Sequence, residues 1–149
     1  MPRLAPNRAE FDDERWGDWT EVCAEKISEL QPNEFLIIPV DDDENVFVQM
    51  AKATYKESCS LLVEAGLGAR ESDELSLTLL ELGWEPPGSY GEPGDGSPNY
   101  QVMWSAQNLH GLMSEDDAWE AARLVALTLR APLAITDPFA LSVGRGTFD

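Results

Sequence analysis

Hydrophobic positions near the start of the chain predict a helix. Between Phe11 and Leu30 the apolar residues recur at steps of three and four, which places them on one side of a helix. Acidic residues at the beginning of this stretch favour the positive end of the helix dipole. Pro32 and Asn33 end the helix. The apolar stripe consists of Trp16, Trp19, Cys23, Ile27 and Leu30.

Three apolar segments after that helix predict strands. Glu34–Val40 is rich in β-branched residues, and Val46–Ala51 follows a charged turn as the second half of a hairpin. Pro39 lacks a backbone donor, so it marks the end of a strand or the edge of a sheet. Glu57–Ala65 predicts a third strand, after which we expect Gly66 and Gly68 to break the chain.

The second half of the chain predicts two more helices and a fourth strand. Ser72 is a suitable N-cap for a short helix that Gly83 ends. A long loop rich in Pro and Gly, residues 86–98, leads to a strand at Asn99–Ala106. Ser114 opens the last helix, and the tail beyond it is expected to form a short helix or strand.

This order of elements predicts an α+β fold. Helix, three strands, helix, strand and helix fit an antiparallel sheet of four to five strands with helices on one face. The length of 149 residues is that of one domain. We expect residues 1–10 to be a flexible leader and residues 11–149 to be the domain.

Alternation within the strands predicts two different sheet faces. One face is apolar throughout and is assigned to the core: Val46, Val48, Met50, Cys59, Leu61, Val63, Tyr100, Val102 and Trp104. The other face mixes hydrophobic and polar residues. Single exposed hydrophobic residues are common on ordinary surfaces, whereas Met and aromatic groups among amides favour adaptable recognition. The candidate partner-binding residues on this face are Phe47, Gln49, Leu62, Gln101 and Met103.

The net charge of the chain limits the classes of partner that it is expected to bind. Twenty-eight acidic residues against ten basic ones give a formal net charge of −18. Such a surface repels phosphate backbones and anionic lipid headgroups, so neither nucleic acid nor a membrane is an expected partner. The two cysteines, Cys23 and Cys59, are interpreted as small buried hydrophobic residues, which fits a reducing cytoplasm.

Candidate chemistry is sparse. His110 is the single histidine and lies in a polar loop, so it is interpreted as a surface residue rather than part of a catalytic unit. One histidine with two separated cysteines has no zinc-site spacing. The acidic segment Asp41–Asn45 lacks the glycine and glutamate that a calcium-binding EF-hand requires. With so many carboxylates, no single acid pair is informative. We therefore predict no catalytic residue, cofactor or metal.

Several short segments, taken in order, resemble the TY-Chap family of type III secretion chaperone-like and YbjN-like peptide-binding chaperones. The resemblance spans Trp16 to Val143 and rests on Phe47–Met50, Val63–Ala65, Leu82–Pro87, Pro98–Tyr100, Thr128–Arg130 and Asp137–Pro138. It implies the secretion-chaperone-like fold, a convex antiparallel sheet backed by helices. It also implies a non-enzymatic role in binding a protein or peptide client, and it allows a homodimer.

No motif identifies the client. An alternative function is that of an acidic neutralising protein, of the immunity type, that binds a basic enzyme. Its association would fall steeply with salt, because exposed charges are screened.

Overall fold

The computed structural model describes residues 14–40, 44–55, 58–87, 99–105 and 115–147. Its helices and strands are, in chain order, α1 (Glu14–Glu29), β1 (Glu34–Pro39), β2 (Val46–Tyr55), β3 (Ser58–Leu67), α2 (Asp73–Leu82), β4 (Tyr100–Ser105), α3 (Glu115–Arg130) and β5 (Gly144–Thr147). Single turns of 3₁₀ helix lie at Gly68–Arg70 and Pro138–Ala140. The α+β order is confirmed, and the tail supplies both a short helix and a fifth strand.

Some sequence-based predictions fall outside this description. These are the leader, the first residues of the charged turn, most of the 86–98 loop, His110, Ser114 and the side chain of Cys59.

The strands form one antiparallel sheet in the order β4-β3-β2-β1-β5. β2 and β3, ten residues each, form a long hairpin at its centre. Pro39 lies at the end of β1, as its missing donor predicts. β5 pairs with the other side of β1 and closes that edge. Among the described residues, no helix has the length and apolar character needed to cross a bilayer.

Gly66 lies inside β3, so the predicted break is wrong at this glycine and correct at Gly68, where the strand has ended. The register pairs Gly66 with Phe47 on β2. A Cβ atom at position 66 would lie 2.8 Å from Cε1 of Phe47 and 2.6 Å from the carbonyl oxygen of Asn45. The Phe47 ring therefore covers a position that only glycine can occupy. The strand ends after Leu67, where Gly68 takes a positive φ of 51°.

The core lies between the sheet and the helices. The predicted stripe of α1 is buried, and Trp16 contacts Trp19 edge to face with ring centroids 5.9 Å apart. Cys23 Sγ lies 3.9 Å from Met50 Sδ, which places α1 on the apolar face of the sheet. Burial raises the pKa of the Cys23 thiol to about 12. Cys23 is therefore an inert, protonated core residue.

α2 begins and ends where the sequence predicts. Ser72 Oγ accepts a hydrogen bond from the backbone N–H of Leu75 at 3.1 Å. Gly83 is the C-cap, with a positive φ of 113° that favours glycine. Leu79 is fully buried, and Leu75 and Leu82 pack against the core on either side of it, so three leucines anchor this short helix.

Candidate peptide-binding face

The candidate site is the sheet face that points away from the helices, here called the open face. Its residues alternate in sequence with the buried residues of the core face. Most of them are half-buried or exposed, while their neighbours on the core face are close to fully buried, except for the half-buried Val102 and Trp104. From β1 to β4 they are Phe35, Ile37, Phe47, Gln49, Ala51, Ser60, Leu62, Glu64, Gln101 and Met103.

A row of apolar side chains crosses the open face. The strand register places Met103 beside Leu62, Leu62 beside Ala51, and Ala51 beside Phe35. Met103 is 38% exposed, and Leu62 and Phe35 are half-buried. Four neighbouring strands span about 14 Å at ordinary strand spacing, the length of about four extended residues. We call these four residues the apolar row.

A polar row lies beside it. Gln49, Glu64 and Gln101 are register neighbours on β2, β3 and β4. Gln101 Nε2 donates a hydrogen bond to Glu64 Oε1, and Gln101 is only 7% exposed. Its backbone also exchanges two hydrogen bonds with Glu85, of 3.0 and 3.3 Å, so the chain after α2 covers the outer edge of β4 at this point.

The structure brings together some of the predicted binding residues but not all. Leu62 and Met103 are direct neighbours, and Gln49 and Gln101 both flank Glu64. Phe47 shares the open face but is half-buried, because its ring covers Gly66. Gln101 is turned to Glu64 rather than to solvent.

Sequence reasoning missed the residues that β1 contributes to the open face. These are Phe35 and Ile37, and they alternate with Leu36 and Ile38, which are buried in the core. Because all four are large and apolar, period-two alternation carries no signal about which pair points inward. The pairing with β2 was needed to assign them.

Two ion pairs among the described residues lower the pKa of the carboxylate that each contains. Arg145 Nη2 donates to Glu34 Oε1 at 2.8 Å, and this bond, helped by the backbone N–H of Gln31, holds the pKa of Glu34 below its usual range. Arg15 Nη2 donates to Asp137 Oδ1 at 2.8 Å and lowers the pKa of Asp137 in the same way. Both pairs attach the C-terminal segment to elements earlier in the chain.

Two of the family-like segments contact each other in the interior. Trp84 Nε1 donates a 2.9 Å hydrogen bond to Thr128 Oγ1, and both residues are buried. The Thr128 hydroxyl in turn donates to the carbonyl oxygen of Leu124 at 2.7 Å. These segments therefore hold the chain after α2 against α3, and they do not form the open face.

The described residues thus form an antiparallel sheet backed by helices on one side, with an open face of mixed polarity on the other. The family model for the T3SS (YopN, CesT) and YbjN peptide-binding chaperone 3, TY-Chap3, matches residues 10–147. The chain therefore belongs to this family of peptide-binding chaperones, as its sequence predicts. No curated protein and no solved structure matches it.

Proposed function

We propose that this protein is a non-enzymatic chaperone or adaptor that binds an extended segment of a polypeptide client on its open face. The observation that carries the proposal is the apolar row, which ends in the exposed side chain of Met103. The family supports peptide binding in general, and we propose the apolar row as its location. The proposal takes residues 11–149 as one domain that works in the cytoplasm, alone or as a homodimer.

The two rows suit different parts of a client. Full burial of a Leu, Met or Phe side chain contributes about 1.5–3 kcal/mol, so partial burial along the apolar row would add a useful fraction of that for each contact. The unbranched thioether of Met103 adapts to side chains of different shape. Gln49, half-buried in the polar row, offers an amide that can both donate to and accept from a client backbone.

The test replaces Met103 by aspartate and measures client capture. Tagged full-length wild type and Met103→Asp are used to recover polypeptides from the native cytoplasm at low and high salt. Leu77→Asp is the matched control, because Leu77 is a 59% exposed hydrophobic residue on α2, away from the sheet. We expect Met103→Asp to lose the client and Leu77→Asp to keep it, since only the first puts a charge into the apolar row.

The same experiment tests the alternative function. The charge of −18 also fits a protein that neutralises a basic enzyme. A client that is recovered only at low salt, and equally by both variants, would favour that function and contradict binding through the apolar row. A client that stays bound in high salt and is lost only from Met103→Asp supports the chaperone.

A further inference from the structure

β5 is held weakly in the sheet. It has four residues, of which three are exposed, while β2 and β3 have ten each. Gly144 and Gly146 make up half of it, and glycine loses much conformational freedom in a strand without supplying a side chain to pack. The ion pair of Arg145 with Glu34 is accessible to solvent, and such pairs add little to stability.

The strand that β5 covers is firmly placed without it. On β1, Leu36 and Ile38 are 3% and 0% exposed, and β2 pairs with its inner side from Phe35 to Pro39. Val143 packs against the core immediately before β5. If β5 separated, β1 would therefore stay in place and present a row of backbone donors and acceptors, while only residues from 144 onward would move.

The contacts of β5 also indicate which side chains fit beside the edge of β1. On the helix side of the sheet, Arg145 donates to Glu34 and also feels the negative charge of Glu29. On the open-face side β5 carries no side chains. A Cβ atom at position 146 would lie 2.7 Å from Cζ of Phe35, while one at position 144 would make an ordinary contact, 3.4 Å from Cγ2 of Ile37. The edge therefore favours a basic residue between two small ones.

We infer that β5 is a placeholder, and that an extended client segment with a basic residue between two small residues displaces it and pairs antiparallel with β1. This inference rests on the proposed peptide-binding function and adds a place and a chemical class for the client. The basic residue takes the position of Arg145 and bonds to Glu34. The small residues lie beside Phe35 and Ile37, so the client adjoins the apolar row. The net charge of −18 attracts such a segment.

The test uses the full-length protein and a fluorescein-labelled peptide. In the peptide, alanine, arginine and glycine take the positions of Gly144, Arg145 and Gly146, with valine and threonine on either side, because a Cβ atom beside Phe35 would collide with its ring. The matched control peptide has glutamate in place of arginine. We expect the arginine peptide to bind and the glutamate peptide to bind at least about fivefold more weakly, because the second places a carboxylate against Glu34.

Two matched variants then change how firmly β5 is held. Gly144→Val and Gly146→Val each replace glycine by a residue that favours strands. By strand preference alone, either change should shift the equilibrium towards paired β5 by about fivefold. Only Gly146→Val forces the ring of Phe35 aside. We therefore expect Gly144→Val to weaken peptide binding and Gly146→Val to strengthen it. Hydrogen exchange without peptide should be slower in the first variant and faster in the second at the β1 amides that pair with β5.

Equal peptide affinity of the two glycine variants, or equal binding of the two peptides, would overturn the placeholder. Met103→Asp separates this inference from the proposed function. If Met103→Asp loses the cellular client while the glycine variants bind the peptide alike, the result supports binding on the open face and contradicts the displacement of β5. If the glycine variants change peptide affinity in opposite directions while Met103→Asp keeps the cellular client, the result supports the displacement of β5. It then shows that the apolar row is not the binding surface.

Discussion

Trp84 and Thr128 lie 44 residues apart in sequence, and their hydrogen bond joins two buried side chains. The Thr128 hydroxyl accepts from the indole N–H and donates to Leu124, so both of its partners are satisfied. This contact places two of the family-like segments in the interior, between the chain after α2 and α3. Other family-like segments supply Phe47, Gln49 and Glu64 to the open face, so the resemblance covers both the interior and the candidate site.

Replacing Thr128 by valine tests this interpretation. The shape is kept, but the buried indole N–H of Trp84 loses its acceptor, which should lower the free energy of unfolding by about 1–3 kcal/mol in urea titrations. Thr78→Val is the control, because Thr78 donates the same kind of helix bond, 3.0 Å to the carbonyl oxygen of Glu74, at a half-buried position. An equal loss in both variants would show that the Trp84 bond contributes nothing.

At the scale of elements, the C-terminal segment contacts α1 through polar and ring contacts, and its apolar residues pack against the core. Asp137 accepts from the backbone N–H of Phe139, which starts the second 3₁₀ turn, and also binds Arg15 on α1. Arg15 in addition lies over the Phe139 ring, with Cζ 5.2 Å from its centroid. Beyond this turn the chain continues to β5, so these contacts align the tail with the edge of β1.

The contact between Arg15 and Asp137 should make stability depend on pH. Because the pKa of Asp137 is lowered in the folded state, its stabilisation is present at neutral pH and is lost as the pH falls through that lowered value. Asp137→Asn should therefore be less stable than wild type at neutral pH, and the difference should close in acid below the ordinary carboxyl pKa of 3.8.

Urea unfolding of wild type, Asp137→Asn, Arg15→Gln and the double variant at several pH values measures this coupling. The asparagine can still accept from the N–H of Phe139, so the comparison isolates the ion pair. A difference between wild type and Asp137→Asn that persists unchanged in strong acid would contradict the assignment.

The elements differ in how far the sequence predicts them. α1 and α2 follow directly from apolar spacing and from the caps Ser72 and Gly83. β5 does not, because Gly144–Thr147 has only one β-branched residue and becomes a strand only by pairing with β1. The continuation of β3 through Gly66 is not predictable for a similar reason, because the Phe47 ring that covers this glycine belongs to another strand. Local signals predicted the helices, whereas tertiary pairing decided the sheet edge and the two residues that β1 adds to the open face.

At the scale of the whole molecule, the sheet separates two surfaces with different roles. One face is buried under α1 and α3 and supplies stability. The other keeps an apolar row next to a polar row, inside a molecule of net charge −18. The charge limits self-association through the apolar row, because like-charged copies repel, while it attracts segments that carry basic residues. The proposed client is therefore apolar enough to use the row and basic enough to approach it.

Site-specific photo-cross-linking tests the central claim, binding of a polypeptide on the open face, most directly. A photoreactive phenylalanine analogue is placed at Met103 in one full-length protein and at Leu77 in another, both exposed positions on different sides of the molecule. After irradiation of the native cells, we predict that position 103 forms cross-links to one or a few client polypeptides and that position 77 does not. Cross-links of equal yield to the same polypeptides from both positions, or from position 77 alone, would contradict the assignment of the open face.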